Sequence, residues 1–219
     1  NTYGCGNCCD STITGAWKFL IAIVDFGLGN LRSVEKAFEF LGVSAAIVEN
    51  PRQADKATHL VLPGDAAFGD AMSKLHKGGW VACIEQSIAA GKPFLGICVG
   101  LQLMFSKSLE LGRHEGLGLL SGVCERFPSS ERVPHIGWNQ IDFNNSSPLL
   151  HGIPSGTYFY FVHSYCVATA KCNEFLASTN YGFDFVSVVG SDGVFGVQFH
   201  PEKSQSFGLR LLENFSRIN

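Results

Sequence analysis

The chain has few charged residues, and it contains no block of basic ones. Charged residues make up 16% of its 219 residues, and 16 Lys and Arg stand against 19 Asp and Glu, which gives a formal net charge of −3. Proteins that bind nucleic acid through its phosphates need clustered basic residues, so we expect no nucleic-acid partner. Apolar residues account for 46% of the chain, which is too many for an intrinsically disordered protein.

Long apolar runs are also absent. The longest, Phe19 to Val24, is far shorter than the roughly 20 residues that a membrane-spanning helix needs. The first residues do not show the basic, apolar and small-residue regions of a secretory signal. We therefore expect a cytoplasmic protein without a membrane partner.

The eight cysteines do not form a disulfide pattern. Cys5, Cys8 and Cys9 lie close together, and the other five are scattered through apolar segments, whereas disulfide-dense domains are short and rich in loops. Cys5 and Cys8 have the spacing of half a zinc site, but no second pair of Cys or His follows at ligand spacing. We therefore predict no metal site and interpret residues 1–16 as a flexible polar leader, either native or left over from cloning.

The first half of the chain alternates between predicted strands and helices. A buried strand is predicted from Phe19 to Asp25, because its apolar residues run without alternation up to a glycine-rich turn. Apolar residues from Leu31 to Leu41 recur at helical spacing, and Gly42 ends that helix. Further strands are predicted at Ala45–Val48, Leu60–Leu62 and Pro93–Ile97, and further helices at Ala67–Leu75, Val81–Ala90 and Leu101–Phe105.

The second half is rich in predicted strands and ends in an amphipathic helix, whose apolar residues run from Phe207 to Phe215. Its strands are predicted at Val123–Phe127, Trp138–Phe143, Tyr158–Val162, Phe185–Val189 and Val194–Phe199. Strands that alternate with helices and are followed by a strand-rich half predict an α/β fold. We expect a single domain with a mixed, mainly parallel sheet flanked by helices, joined by right-handed crossovers in its first half.

A cysteine flanked by glycines lies between a predicted strand and a predicted helix. The segment Gly96-Ile-Cys98-Val-Gly100 has the form of a nucleophile elbow with cysteine in place of serine. Bulky side chains two residues from the nucleophile would clash in such a turn, which explains why glycine occupies both positions. The N–H groups at the start of the following helix favour a thiolate at Cys98. The alternative is a small buried cysteine next to a close-packed turn.

The second candidate for catalysis is the segment His200-Pro-Glu202. Residues two apart in an extended chain point to the same side, so His200 and Glu202 can form an imidazole–carboxylate pair. Pro201 disfavours a helical conformation at His200. A cysteine nucleophile needs such a base and such an orienting group, so Cys98, His200 and Glu202 are predicted to form a catalytic triad. The alternative is a strand-end turn with an exposed histidine. The other six histidines lack this pairing, which indicates structural or surface roles for most of them.

Several segments of the chain resemble the class I, or triad-type, glutamine amidotransferases, and more narrowly the glutaminase subunits of imidazole glycerol phosphate synthase. The matching segments follow one another in order from about residue 19 to residue 217. They are Ile23–Val34, Leu62–Gly64, Phe68–Met72, Gly91–Gln102, Val133–Asn139, Tyr160–Tyr165 and Gly196–Ser204. The resemblance assigns residues 17–219 to a glutamine amidotransferase domain.

The resemblance implies roles for individual residues. Cys98 would attack the carboxamide of glutamine, His200 would move protons to the departing ammonia, and Glu202 would orient the imidazole. The oxyanion hole would be built from the backbone N–H of Val99 and one from the loop at Gly64 and Asp65. Glutamine would be bound at Gln102, Glu110, Ser164 and Tyr165, and a partner would be contacted at Asn30, Trp138, Tyr160 and Lys203.

The resemblance also implies a partner and no cofactor. The partner would be a (β/α)8-barrel cyclase, which forms a heterodimer with the chain and uses the released ammonia in histidine biosynthesis. From a phosphoribulosyl-formimino ribonucleotide it would make imidazole glycerol phosphate and an aminoimidazole carboxamide ribotide. One alternative is a paralogous glutaminase that supplies ammonia for amidine sugars of surface polysaccharides. Others are a catalytically weak scaffold for the barrel and a lone cysteine hydrolase, which the glutamine-binding segments disfavour.

One segment departs from the family pattern. After Pro63-Gly64 the family usually has a small apolar residue and then glycine, whereas this chain has Asp65 and Ala66. A carboxylate next to a developing oxyanion is unfavourable unless it points away, and alanine resists a positive φ. Because an oxyanion hole uses backbone donors, we expect Asp65 to face solvent harmlessly. Any effect of this departure should fall on turnover and activation, not on the fold.

Overall fold

The structure, a computed structural model, describes residues 20–169, 172 and 175–219. The predicted leader at residues 1–16, with Cys5 and Cys8, and the first residue of the first predicted strand lie outside this part of the chain. The helices are α1 (Leu31–Phe40), α2 (Pro51–Ala54), α3 (Phe68–Lys77), α4 (Trp80–Ala89), α5 (Val99–Met104) and α6 (Gln205–Ser216). The strands are β1 (Ile21–Val24), β2 (Ala45–Val48), β3 (His59–Gly64), β4 (Phe94–Cys98), β5 (Phe105–Ser108), β6 (His114–Glu115), β7 (Leu120–Arg126), β8 (His135–Ile141), β9 (Thr157–His163), β10 (Tyr165–Cys166), β11 (Phe175–Asn180), β12 (Asp184–Ser191) and β13 (Val194–Val197).

The main sheet confirms the predicted fold class. It has seven strands in the order β11-β12-β13-β4-β3-β1-β2. The five strands from β13 to β2 are parallel, whereas β12 is antiparallel to β13 and β11 is antiparallel to β12. Every residue of β1, β3 and β4 is buried, as expected for parallel strands covered on both faces.

The helices that cover this sheet pack in two groups, α1 with α6 and α3 with α4 and α5. The buried side of α1 consists of Leu31, Val34, Ala37 and Phe38, which agrees with the predicted helical spacing. Among the described residues no helix is long and apolar enough to cross a membrane.

The strand-rich half does not form one continuous sheet with the first half. Besides the main sheet, β10, β7, β5 and β6 form a four-stranded sheet, and β8 and β9 form a two-stranded one. Three predicted strands, at Val123–Phe127, Trp138–Phe143 and Tyr158–Val162, therefore lie outside the main sheet. The physical reason is visible in β9, where buried and more exposed residues alternate, because a hairpin with one face toward the core does not need cover on its other face.

The register of the main sheet positions the candidate catalytic residues. Gly64 at the end of β3 is paired with Cys98 at the end of β4. Val197 at the end of β13 is paired with Ile97, so the chain that leaves β13 reaches His200 beside the same edge. Ligand sites in open α/β sheets lie at the carboxyl ends of the strands, and the candidate residues lie there.

Candidate active site

The candidate nucleophile Cys98 lies at the junction of β4 and α5. Its side chain is 3% exposed, and its backbone has φ 56° and ψ −108°. A non-glycine residue with a positive φ is strained, and such strain is concentrated at functional sites. The structure therefore has the sharp strand-to-helix turn that the sequence predicted for a nucleophile elbow.

The glycines around Cys98 are required by the packing of this turn. A Cβ atom on Gly96 would lie 2.7 Å from the carbonyl carbon and oxygen of Gly100, and a Cβ atom on Gly100 would collide with the carbonyl oxygen of Leu62. On the neighbouring strand, a Cβ atom on Gly64 would lie 2.9 Å from Cβ of Val99. Backbone from β3, β4 and α5 thus meets at distances that only glycine permits.

His200 and Glu202 form the pair that their spacing predicted. Nδ1 of His200 lies 2.8 Å from Oε1 of Glu202, and the two side chains are 7% and 2% exposed. Because a carboxylate only accepts, Nδ1 carries the proton and Nε2 is directed away from Glu202. The alternative of an exposed histidine at a strand end is wrong, since His200 is buried.

The loop that carries the pair is tied to β9. The backbone N–H of His200 donates to the carbonyl of Tyr160 over 2.9 Å. The hydroxyl of Ser204 donates to the carbonyl of His200 over 2.6 Å and accepts from the N–H of Tyr160 over 3.0 Å. Ser204 therefore fixes the base relative to the hairpin.

The electrostatic environment favours a protonated His200. Burial alone would lower the pKa of His200, but the sulfur of Cys98 and the carboxylate of Glu202 outweigh burial and raise this pKa to about 10. Within the described residues, Nε2 of His200 makes no hydrogen bond in this geometry. The protonated Nε2 of His200 is therefore available to a substrate in the cleft.

A cleft of about 480 Å³ joins the candidate residues. Its lining contains most of the residues assigned by resemblance to catalysis, oxyanion binding and glutamine binding: Cys98, His200, Asp65, Val99, Gln102, Glu110, Ser164 and Tyr165. Glu202 lies behind His200, and Gly64 lies beneath Val99. The predicted site residues are thus brought together at one edge of the main sheet.

The candidate glutamine-binding side chains already have partners in the protein. Nε2 of Gln102 donates to the carbonyl of Tyr165 over 2.8 Å and to Oε1 of Gln198 over 3.2 Å. Oε2 of Glu110 accepts from the N–H of Phe68 over 2.7 Å, at the first residue of α3. These contacts hold both side chains in place at the cleft wall.

Two of the candidate partner-facing residues lie outside the cleft. Trp138 and Tyr160 are paired across β8 and β9, and their rings are in edge contact with centroids 6.1 Å apart. Lys203 lines the cleft, and its Nζ lies 6.0 Å from the ring centre of Tyr160. Asn30, which precedes α1, also lines the cleft. Lys203 therefore connects the cleft with the exposed face of the β8–β9 hairpin.

The loop that departs from the family pattern lies at the cleft. Asp65 is exposed and lines the cleft with Ala66. Ala66 is not among the non-glycine residues with a positive φ in the described part of the chain. The loop thus avoids a left-handed conformation at the position where the family has glycine.

Three buried polar side chains near the site were not predicted from the sequence. Gln198 donates from Nε2 to Sγ of Cys98 over 3.8 Å; its place two residues before His200 on an extended segment was an available signal. Nδ1 of His163 donates to the carbonyl of Tyr165 over 2.9 Å, and its Nε2 lies 3.0 Å from Nδ1 of His135. Burial lowers the pKa of His135 to about 4 and that of His163 to about 3, so both are neutral.

No group of three or more His, Cys, Asp or Glu side chains within residues 20–169, 172 and 175–219 is arranged to hold a metal ion.

Comparisons with known proteins show which family and which fold the chain shares. The family profile "Glutamine amidotransferase class-I" matches residues 22–218. The chain is 48% identical over 198 residues to imidazole glycerol phosphate synthase subunit HisH of Desulfitobacterium hafniense, covering 90% of this chain and 94% of that protein. It is 51% identical over 196 residues to the protein of the same name from Aquifex aeolicus, covering 89% and 95%. The solved structure of PurLQS from Thermotoga maritima matches the fold with a TM-score of 0.72 at 19% identity, over 90% of this chain and 97% of that one.

Proposed function

Because the chain belongs to the class I glutamine amidotransferase family, we propose that it is the glutaminase subunit of an imidazole glycerol phosphate synthase. It hydrolyses L-glutamine to glutamate and ammonia, and the ammonia passes to a (β/α)8-barrel cyclase subunit in a cytoplasmic heterodimer. The observation that carries this proposal is the combination of a buried Cys98 at a strained elbow with the His200–Glu202 hydrogen bond in one cleft. The names of the relatives support the choice of acceptor.

In the first half of the reaction, the thiolate of Cys98 attacks the carboxamide carbon of glutamine. The resulting oxyanion is stabilised by backbone N–H groups of Val99 and of the loop at Gly64 and Asp65. The imidazolium of His200 donates its Nε2 proton to the departing nitrogen, so that ammonia leaves and a thioester forms. The raised pKa of His200 supports this role, because it keeps the imidazole protonated before the attack.

In the second half, a water molecule attacks the thioester. His200, now neutral, removes a proton from the water through Nε2 while Glu202 holds Nδ1. Glutamate leaves and the thiolate–imidazolium pair is restored. The substrate is held by Gln102 and Glu110 at the cleft wall and by main chain near Ser164 and Tyr165.

The hairpin face next to the cleft is the proposed contact with the barrel. Several large apolar side chains are exposed on it: Ile136 is 59% exposed, Trp138 45% and Tyr158 54%. Aromatic residues are enriched in protein interfaces, and this patch adjoins Lys203 and the cleft. The proposed contacts with the barrel are Trp138 and Tyr160 on the hairpin, and Lys203 and Asn30 at the cleft.

The test is glutamine hydrolysis by the full chain, with and without a matched barrel subunit and its ribonucleotide. Hydrolysis without a partner would release ammonia to water, where protonation destroys its nucleophilicity. We expect activity to rise at least tenfold on addition of both, because a shift from about 1% active to mostly active needs only about 3 kcal/mol of differential binding. Full activity of the isolated chain would contradict coupling.

Two variants separate the proposed steps. Cys98→Ala should abolish glutamine hydrolysis and leave ammonia-dependent cyclisation by the complex intact, since the covalent route is lost and little cavity is created. Lys203→Ala should strongly reduce the activation of glutamine hydrolysis by the partner, because Lys203 connects the cleft with the hairpin. It should lower the free energy of unfolding only slightly. If the Cys98→Ala chain still hydrolysed glutamine, the nucleophile would be another group.

A further inference from the structure

Two buried glutamines lie side by side next to the sulfur of Cys98. Gln102 on α5 is 4% exposed, and Gln198, which follows β13, is 1% exposed. Nε2 of Gln102 lies 3.2 Å from Oε1 of Gln198, and Nε2 of Gln198 lies 3.8 Å from Sγ of Cys98. Buried amides are costly unless their groups are paired, so this arrangement needs a reason.

The carbonyl of Tyr165 determines which end of each amide faces its neighbour. A carbonyl oxygen only accepts, so Gln102 must direct its NH2 group at it, over 2.8 Å. The second N–H of that group then donates to Oε1 of Gln198, which leaves the NH2 group of Gln198 toward the sulfur. Reversing Gln198 would set two donors against each other at one end. The direction of the amide is thus dictated by the network rather than by a free choice of rotamer.

The same carbonyl is held from the other side by a chain of neutral histidines. Nδ1 of His163 donates to Tyr165, and Nε2 of His163 accepts from Nδ1 of His135. Nε2 of His135 in turn accepts from the side-chain NH2 of Asn139. Every hydrogen bond from Asn139 to Tyr165 therefore has one consistent direction, which rigidifies the acceptor that orients Gln102.

Within the described part of the chain, the sulfur has one acceptor and one donor among its polar contacts outside the triad. The thiol lies 3.9 Å from the carbonyl oxygen of Val162, to which it donates, and 3.8 Å from the donor Gln198. When the thiol loses its proton, the carbonyl dipole of Val162 becomes unfavourable to the new charge, whereas the N–H of Gln198 becomes more favourable. Hydrogen bonds to a charged group are about twice as strong as neutral ones.

We infer that Gln198 is a further catalytic residue, which stabilises the thiolate of Cys98 by donating its side-chain N–H to the sulfur. The inference rests on the proposed function, in which Cys98 is the nucleophile. It assigns the second buried glutamine a task separate from glutamine binding: Gln102 faces the cleft, and Gln198 faces the reacting atom. Since the donor is held before substrate arrives, no reorganisation is needed when the charge forms.

The test is alkylation of Cys98 by iodoacetamide as a function of pH, which requires neither glutamine nor partner. Modification of the Cys98 peptide in the full chain is followed by mass spectrometry, so that the other cysteines do not contribute. Gln198→Met keeps an unbranched side chain of similar length and removes the donor. We expect the pH of half-maximal alkylation to rise by about one unit, which corresponds to a tenfold loss of thiolate below that pH.

Gln198→Glu provides a second variant that keeps the shape and the acceptor for Gln102 but loses the donor and adds negative charge. In Gln198→Glu the pH of half-maximal alkylation should rise further than in Gln198→Met. If the methionine variant does not fold, Gln198→Glu still tests the prediction. The matched control is Ser187→Ala. The hydroxyl of Ser187 is buried and has no hydrogen-bond partner among the described residues, and the carbonyl of Ser187 accepts from the backbone N–H of Gln198. Ser187→Ala should leave the profile unchanged.

The outcomes distinguish this inference from the proposed function. Suppose that Cys98 of the natural chain is alkylated at neutral pH and that the Gln198 variants show the same pH profile of alkylation. Gln198 then does not stabilise the thiolate, and the inference is wrong. If Cys98 of the natural chain is inert until strongly alkaline pH, the nucleophile assignment itself fails. A shift in both Gln198 variants, with none in Ser187→Ala, supports the inference.

Discussion

At the scale of single residues, the cleft combines the proposed nucleophile with a loop that departs from the family sequence. Cys98 is held by its elbow, and Asp65 stands exposed at the cleft wall. The oxyanion would be bound by backbone N–H groups, so the side chain of Asp65 can affect its stabilisation only through its charge. Ala66 can affect it by disfavouring backbone conformations that glycine would permit. Turnover is therefore the property that this loop can change.

The double substitution Asp65→Val with Ala66→Gly restores the family pattern and tests this point. If the present loop misaligns one oxyanion donor, turnover in the presence of the partner should rise tenfold or more, since one such donor is worth about 10²–10³ in rate. The comparison is kcat for glutamine hydrolysis in the complex, with Asp65→Asn as the variant that removes charge alone. Equal kcat for the natural chain and the double variant would mean that the loop is harmless.

The proposed catalytic residues stand out in the sequence because their local geometry follows from short segments of the chain. The glycines around Cys98 predict a tight turn, and the two-residue spacing of His200 and Glu202 predicts that both side chains point to one side of an extended segment. The contact of Gln198 with Cys98 joins segments distant in sequence, and the pairing of His135 with His163 depends on the register of a hairpin. Such contacts follow from tertiary structure, which local patterns do not specify.

At the scale of elements, the elbow depends on how closely α5 approaches β3. Gly100→Ala should destabilise the protein by about 3 kcal/mol, the upper range for forced overpacking, because its Cβ atom would collide with the backbone oxygen of Leu62 and not with a movable side chain. Glutamine hydrolysis should be lost with it, since Cys98 is two residues away. Urea denaturation gives the free energy of unfolding.

A matched glycine controls for backbone conformation. Gly118 has φ 66° and open space around its Cβ position, so Gly118→Ala should cost only the 1–2 kcal/mol typical of a left-handed alanine, by an order-of-magnitude estimate, and should keep activity. If the two substitutions destabilised the protein equally, the close approach to Leu62 would not be the reason that position 100 requires glycine.

Three of the strands that the sequence did not predict share a physical property. The strands β6 and β10 have two residues each, and β5 follows α5 without a connecting turn, so none offers a periodic pattern long enough to recognise. Most of the longer strands and the amphipathic helices were predicted because burial imposes a period on them, but the strand β11 (Phe175–Asn180) at the edge of the main sheet was missed. Which sheet each strand joined was a question of tertiary packing, as β8 and β9 illustrate.

At the scale of the whole molecule, the buried histidine pair links stability to pH. His135 and His163 lie on paired strands, and burial lowers the pKa of His135 to about 4 and that of His163 to about 3. In the unfolded chain both titrate near the ordinary pKa of about 6.5. Below pH 6.5 the unfolded state therefore binds more protons than the folded state, and the free energy of unfolding falls as the pH falls.

The expected result is a steep loss of stability between about pH 6.5 and pH 4, to which each of the two histidines contributes up to about 1.4 kcal/mol per pH unit. His163→Gln retains a side-chain N–H for the carbonyl of Tyr165 but cannot bind a proton in the unfolded state. It should lower stability at pH 8 and yet reduce the slope of the acid limb by about one proton. Urea denaturation at half-unit pH steps measures both quantities. His76→Gln, at an exposed position on α3, controls for the loss of a histidine; the same reduced slope in both variants would rule out the buried pair as its cause.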